Sequence, residues 1–355
     1  SNSDLVAESR DLAFLFKSAN DAFATDYPAT VGPHMTNTDS TPFMNVTPSI
    51  SLRENERGMH IGAGWDPHWH QPTDLYTTFT DDDFRLGLNA AQTTLAAIAS
   101  RTQRVKLGTA VLLPALRNPV VLANEVANLD LLSQGRVVLG VGIGSKTPLV
   151  QAEFASCGVS FNHRVSIYEE GLEIMRRLWS EPQVTFTGRH FQLKDVSLGL
   201  LPVQKSGVPL WMAGTVDAAR RRMLRLGDGW FPNPPTIESF TEGWSRIKEL
   251  AAETGEDATK LHRCVYTTLN INEDAAQADK ELRAFVEGYY GAPFETASRT
   301  QSVCAGNAQK CASWLRSFIE AGAETIVIRF GGPDQQGQLQ KCARDILPEV
   351  LAKVK

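Results

Sequence analysis

The stretch that most restricts the fold covers residues 105–145, VKLGTAVLLPALRNPVVLANEVANLDLLSQGRVVLGVGIGS. Its first part, 105–113, is an apolar and β-branched run. It is too short for a comfortable helix and too continuous for a strand wetted on one face, so it reads as a buried parallel strand. Pro114 and the Arg117-Asn118-Pro119 turn interrupt it. Asn118 carries an acceptor suited to a helix N-cap, and Pro119 suits the first helical position. A helix is predicted over 120–132, where Val121, Leu122, Val126, Leu129 and Leu132 recur at three- and four-residue spacing while Asn124, Glu125 and Asn128 lie toward the other side. Gln134-Gly135 stops it. A second apolar strand, 136–141, then runs into Gly142-Ile143-Gly144-Ser145. The crossover makes the two strands parallel neighbours and places the chain in the α/β class.

The remaining pattern repeats this alternation. Helices are predicted over 4–23, 84–100, 165–179, 237–254, 275–290, 307–321 and 338–354, with strands at 45–52, 59–64, 209–213, 264–271 and 325–329. Residues 184–193 alternate around Gly188 and read as a hairpin, and 291–302 as a loop. Between strand 209–213 and a helix ending at Leu226 lies Gly214-Thr215-Val216-Asp217. Glycine there lets the backbone approach closely, Thr215 offers a hydroxyl, and the helix presents free amides with partial positive charge, so the junction suits an anion.

The phrases LGTAVLLP, RNPVVLANEVANLDLLSQGR and LGVGIGS resemble the luciferase-like monooxygenases, a family that includes bacterial luciferase and the F420-dependent oxidoreductases. The resemblance continues through 161–179, 209–231 and 306–347. It implies a (β/α)8 TIM barrel with insertions, a single domain over 1–355 with an atypical region at 1–85 and a hairpin insertion at 182–205. About 250 residues build such a barrel, which leaves roughly a hundred for these additions.

The resemblance also implies where a flavin-type ring would sit. Ala110–Val111 matches a non-proline cis peptide that forms a bulge behind the ring, with Thr109 beside it, and Gly142 matches the position next to the reactive carbon. Gly144, Ala213, Gly214 and Thr215 complete the expected cofactor contacts, the last two at the phosphate. His163 and Arg164 have two readings, contact with the cofactor's phosphate or pyrimidine edge, and an arginine bridging loop carbonyls. His68 and His70, in the loop Trp65-Asp66-Pro67-His68-Trp69-His70, are the catalytic candidates because aromatic and imidazole groups at a strand end suit a flat ring. A surface loop and a metal site with Asp66 are the other readings of the same residues.

The function implied is flavin-dependent redox chemistry, first a two-component monooxygenase using reduced FMN, oxygen and a separate flavin reductase, alternatively an F420-dependent hydride transfer. A non-catalytic flavin-binding protein and a metal-dependent barrel hydrolase are further alternatives. The partner expected is a small organic substrate, with a homodimer as the assembly. A net charge of −5 and the lack of a basic run give no reason to expect nucleic acid or a membrane surface. The five cysteines are odd in number and scattered, as for incidental thiols in a reducing cytoplasm, and no metal set is assigned.

Overall fold

The computed structural model describes residues 94–352 apart from Pro235. The readings for 4–23, 45–52, 59–64 and most of 84–100, together with His68 and His70, lie outside the described residues. Two compact units are present. One holds the described residues up to Gly108, Pro114–Val137 and Gly144–Val208; the other holds Thr109–Leu113, Val138–Ile143 and the described residues from Pro209 onward.

In the first unit a helix, α1 (residues 94–101), is closed by a distant arginine. The Arg136 guanidinium donates to the carbonyls of Ala99 and Thr102 at 2.7 and 2.8 Å and to that of Val105 at 2.7 Å. Carbonyls at a helix C-terminus have no partner within the helix, and a cation also suits that end. The predicted central helix is α2 (Pro119–Ser133). Asn118 Oδ1 accepts from the amides of Val120 and Val121 at 2.9 and 3.3 Å, and Gln134 ends the helix with φ 58°.

The inward stripe of α2 differs from the predicted one. Val121 and Leu132 are exposed, while Leu122, Ala123, Val126, Ala127, Asp130 and Ser133 are buried. Polar residues occur on both sides, Asp130 and Ser133 within the buried stripe and Asn124, Glu125 and Asn128 away from it, so spacing alone does not choose the stripe. Asp130 is fully buried, with its carboxylate accepting from the Gln204 side-chain amide at 2.8 Å, the Gln204 backbone amide at 3.2 Å and that of Val137 at 3.4 Å.

Thr147 caps α3 (Pro148–Ser156), and α4 (Arg164–Ser180) packs on α2, where Trp179 Nε1 donates to the Ala123 carbonyl at 3.0 Å. The hairpin is formed by the antiparallel strands Val184–Thr187 and Gln192–Val196. Glu170 of α4 holds its turn, accepting from the amides of Arg189, His190 and Phe191.

The buried strand expected over 105–113 is corrected to β1 (Leu107–Gly108) and, in the second unit, an isolated bridge between Leu112 and Val141; Leu107 is buried, but Val105 and Val111 are exposed. The Ala110–Val111 peptide between them is cis, as the resemblance implied. The sheet of the second unit is parallel throughout. Residues 139–141 of β2 (Val137–Val141) pair with the strand Leu210–Met212, which pairs with Gly229–Trp230, which pairs with His262–Ile271. The last of these carries Ser302–Gly306 and Thr325–Phe330 as its further neighbours.

Helices α5 (Asp217–Leu226), α6 (Ile237–Thr254), α7 (Ala275–Tyr290), α8 (Phe294–Ala297) and α9 (Ala308–Glu320) connect these strands. Two readings are corrected. The loop expected over 291–302 contains α8 and leads into a strand, Ser302–Gly306, too short to show a period. The helix expected over 338–354 starts at Gln335 and passes through a π-helical turn at Cys342–Ile346. Pro348 follows it, and a residue without an N–H cannot continue the regular ladder.

The scattered cysteines converge in part. Cys304, Cys311 and Cys342 share one core cluster with Leu269, Ile271, Leu315 and Ile346. None of the five cysteines is in a disulfide. A hydrogen bond between Cys304 and Cys311 pulls the first thiol below its usual range and pushes the second up.

Candidate cofactor site

The ring end of the expected site is built by two backbones in close contact. Thr109 Oγ1 donates to the Gly140 carbonyl at 2.7 Å, the Leu112 amide donates to the same carbonyl at 2.8 Å, and the Gly142 amide donates to the Leu112 carbonyl at 2.9 Å. A Cβ at Gly140 would stand 2.0 Å from the Thr109 carbonyl oxygen, so only glycine permits this approach. The reason for Gly142 differs from the one expected. Its missing Cβ is matched by the Val111 side chain, whose Cγ2 would lie 2.9 Å from it, with Ala213 Cβ at 3.9 Å. Val111 is 38% exposed and offers an apolar surface beside the cis peptide.

Ala213 connects this end to the anion turn. Its amide donates to the Val141 carbonyl at 2.9 Å, and the next residue, Gly214, has φ 144°. A Cβ there would stand 2.6 Å from Ala219 Cβ, so Gly214 lets the chain pass close over the first turn of α5. Its carbonyl accepts from Trp230 Nε1 at 3.2 Å. Substitution at Gly214 would therefore disturb packing as well as any ligand. Helices α2, α3, α6, α7 and α9 are capped by the side chains of Asn118, Thr147, Thr236, Asp274 and Asn307. At α5 the N-cap is Val216, which has no acceptor and makes no capping bond. The Ala219 and Arg220 amides donate to the Val216 carbonyl at 2.9 and 3.0 Å, so the amides of Asp217 and Ala218, at the very start of the helix, are the ones left for another acceptor.

A cavity of about 430 Å3 opens beside Thr215, lined also by Arg220, Trp230, Glu242, Arg246 and Arg299. Asp217 organises part of this wall. Its carboxylate binds Arg246 at 2.8 Å and Arg220 at 2.9 Å, and those hydrogen bonds, from Arg246 first, hold it below the usual carboxylate range. Sequence reading did not single out Arg220, Arg246 or Arg299. The one available signal was Asp217 followed three residues later by an arginine in a first helical turn.

Arg329, near the carboxyl end of the strand Thr325–Phe330, lies in an aromatic enclosure. It donates to Thr268 Oγ1 at 2.9 Å and stands over the Tyr289 ring at 4.4 Å, with Tyr266 and Phe285 each at 5.3 Å. Burial pushes the Tyr266 phenol up from its usual value.

One unit therefore brings together Thr109, Ala110, Val111, Gly142, Ala213, Gly214 and Thr215. Gly144, His163 and Arg164 belong to the other. There Gly144 takes φ 76°, and Arg164 donates to the Phe161 carbonyl at 3.0 Å with its guanidinium 3.9 Å over the Phe161 ring. Arg164 Nε is buried without a hydrogen-bond partner, so both readings of this residue stay open. The His163 ring stands 5.6 Å from that of His190, whose Nε2 is 2.7 Å from Ser166 Oγ. No group of three or more potential metal ligands is formed among the described residues.

A parallel sheet flanked by helices, a cis Ala110–Val111 peptide and a glycine turn ahead of an uncapped helix occur in the order the resemblance implied. The family model described as luciferase-like monooxygenase matches residues 75–332. The chain belongs to this family. Among curated proteins it is 26% identical over 279 residues to the F420-dependent glucose-6-phosphate dehydrogenase of Nocardia farcinica, covering 73% of this chain and 82% of that protein. The corresponding enzyme of Amycolatopsis mediterranei is 26% identical over 283 residues, 73% of this chain and 83% of that protein.

Solved structures share the fold. An F420-dependent secondary alcohol dehydrogenase superposes with a TM-score of 0.62–0.63 alongside a monooxygenase from Streptomyces bottropensis. They are 23% and 24% identical, covering 74% and 73% of this chain and 84% and 82% of theirs. The luciferase-like chain is thus an oxidoreductase with a TIM-barrel-like fold. No described helix is long and apolar enough to cross a membrane.

Proposed function

We propose that this luciferase-like chain is an F420-dependent oxidoreductase that transfers a hydride between the deazaflavin and a small organic substrate. Sequence reading placed the FMN monooxygenase first and this chemistry second. The cited curated relatives are named F420-dependent, which favours the second. These relatives are what favours F420; the junction through Ala213, which joins Val111 and the Val141 carbonyl to the turn at Gly214, supports a ring cofactor carrying a phosphate.

The residues fit such a group at two points. Val111 supplies an apolar surface for a flat ring, and the amides ahead of α5 supply donors for a phosphate. When bound, F420 accepts or donates a hydride at its ring. The chain's own part is to hold that ring against Ala110–Val111, anchor the phosphate at Gly214-Thr215 and exclude water from the reacting face. His68 and His70 remain the candidates for moving a proton, on sequence grounds. This reading needs no flavin reductase as a partner. The homodimer is a separate expectation, checked by sedimentation.

Titrating the purified protein with F420, FMN and reduced FMN, followed by absorbance and fluorescence, tests the assignment. F420 is expected to bind at least about tenfold more tightly than FMN in either redox state, a difference of about 1.4 kcal/mol. Tight binding confined to reduced FMN, with substrate-dependent oxygen uptake, would replace this reading by the monooxygenase. Glucose 6-phosphate, the substrate in the relatives' names, is the first compound to assay with bound F420.

The phosphate assignment has its own test in Val216→Asp. Val216 is 65% exposed with φ −89° and ψ 155°, a conformation an N-capping aspartate adopts. The new carboxylate is expected to cap α5 and raise stability by about 1 kcal/mol. The same carboxylate would occupy the amides and repel a phosphate, weakening cofactor binding about tenfold or more. A melting temperature that rises while cofactor affinity stays unchanged would show that the phosphate is held elsewhere.

A further inference from the structure

We infer that the cavity beside Thr215 is a second anion subsite, which takes a carboxylate-bearing extension attached beyond the phosphate at the Gly214 turn. The inference rests on the F420 reading and adds to it a part of the cofactor that FMN lacks. FMN ends at its phosphate, whereas F420 continues through a lactyl group into γ-linked glutamates, each with a free carboxylate.

The cavity holds about 430 Å3 and shares Thr215 with the turn, so a group attached to a phosphate at that turn has a path into it. Three guanidinium groups line it, from Arg220, Arg246 and Arg299, against one carboxylate, Glu242. They are not equivalent. Arg246 is already engaged by Asp217 at 2.8 Å, Glu249 at 2.7 Å and Glu253 at 3.4 Å. It acts as the frame of the wall.

Arg220 gives Nη1 to Asp217, yet its Nε is buried and has no hydrogen-bond partner. Its side chain is 15% exposed, so this donor is held within the wall of the cavity, where an unmet hydrogen bond costs more than in water. Arg299 lies at the opposite kind of position. It is exposed, in the turn Ser298–Thr300 that borders the cavity. One partly unsatisfied inner guanidinium and one outer guanidinium at the mouth suit a chain of carboxylates better than a single compact anion.

The test uses the full chain and four ligands, F420 bearing several glutamates, its glutamate-free form, FMN and glucose 6-phosphate. Dissociation constants are measured by fluorescence or calorimetry at low and high KCl, for the wild type, Arg299→Glu and the milder Arg299→Gln. Wild type is expected to bind the glutamylated form at least about tenfold more tightly than the glutamate-free form at low salt, with the gap closing as KCl rises. Arg299→Glu is expected to remove that gap, and Arg299→Gln to narrow it, while both leave the glutamate-free dissociation constant unchanged.

Equal affinities for the two forms in wild type would overturn the inference. So would a loss confined to glucose 6-phosphate in the Arg299 variants, which would make the cavity a substrate site. Binding of the glutamate-free form with no gain from glutamates leaves the F420 reading standing. Failure of both deazaflavins to bind would overturn that reading, and this inference with it.

Discussion

Asp130→Ala is expected to lower the unfolding free energy by about 3–5 kcal/mol, among the largest effects available to a single side chain here. Asp130 is fully buried in α2, and its carboxylate accepts from three donors, the Gln204 side chain, the Gln204 amide and the Val137 amide. Alanine leaves these donors without that acceptor and opens a small cavity, and each unmet buried donor costs about 1–3 kcal/mol. Gln204 Nε2 retains a bond to the Val137 carbonyl at 2.9 Å, which limits the loss. Urea unfolding followed by circular dichroism should show a lower midpoint with an unchanged slope. Asp130→Asn keeps one acceptor and should fall between the two. A change below about 1 kcal/mol in the alanine variant would mean that this network contributes little.

Gly140→Ala should do still more damage, by a different route. The added Cβ would stand 2.0 Å from the Thr109 carbonyl oxygen and 3.2 Å from Phe231 Cε1, and the first contact is with backbone. The two segments must separate, which breaks the Thr109 hydroxyl bond to the Gly140 carbonyl and the neighbouring backbone bond from Leu112. The expected loss exceeds about 4 kcal/mol, beyond ordinary overpacking, and the yield of soluble variant should fall accordingly. Gly142→Ala is the control. Its Cβ would meet the Val111 side chain at 2.9 Å, an end that can rotate, so stability should fall by no more than about 1–3 kcal/mol. Equal losses in the two variants would show that backbone contact is not what makes Gly140 necessary.

Much of the local structure was legible beforehand. Helices α6 and α7 begin and end where periodicity placed them, at Ile237–Thr254 and Ala275–Tyr290. Asn118 and Pro119 marked the start of α2 by their chemistry. The cis peptide at Ala110–Val111 came from resemblance; nothing in small residues at 109 and 110 requires it. The inward stripe of α2 was misread because apolar residues, Val121 and Leu132, lie on the exposed side while polar ones, Asp130 and Ser133, lie on the buried side. The burial of Asp130 has no local signal, since its partner Gln204 stands 74 positions away.

The candidate site shows the same division. The Gly214-Thr215 turn ahead of α5 was readable because a glycine before a helix start acts over a few residues. Arg299 was not, since nothing adjacent in sequence connects it to Arg220 or Arg246.

The amino-acid sequence by itself determined where strand gives way to helix. Caps, prolines, glycines and side-chain periods act over three or four residues, so their effect is written locally. Only the tertiary structure decided which face of α2 is buried, which cysteines share a core and which arginines line one cavity. Those outcomes depend on burial and pairing between distant segments, and the free energy of burying a charge or apolar face exists only once the second segment is in place.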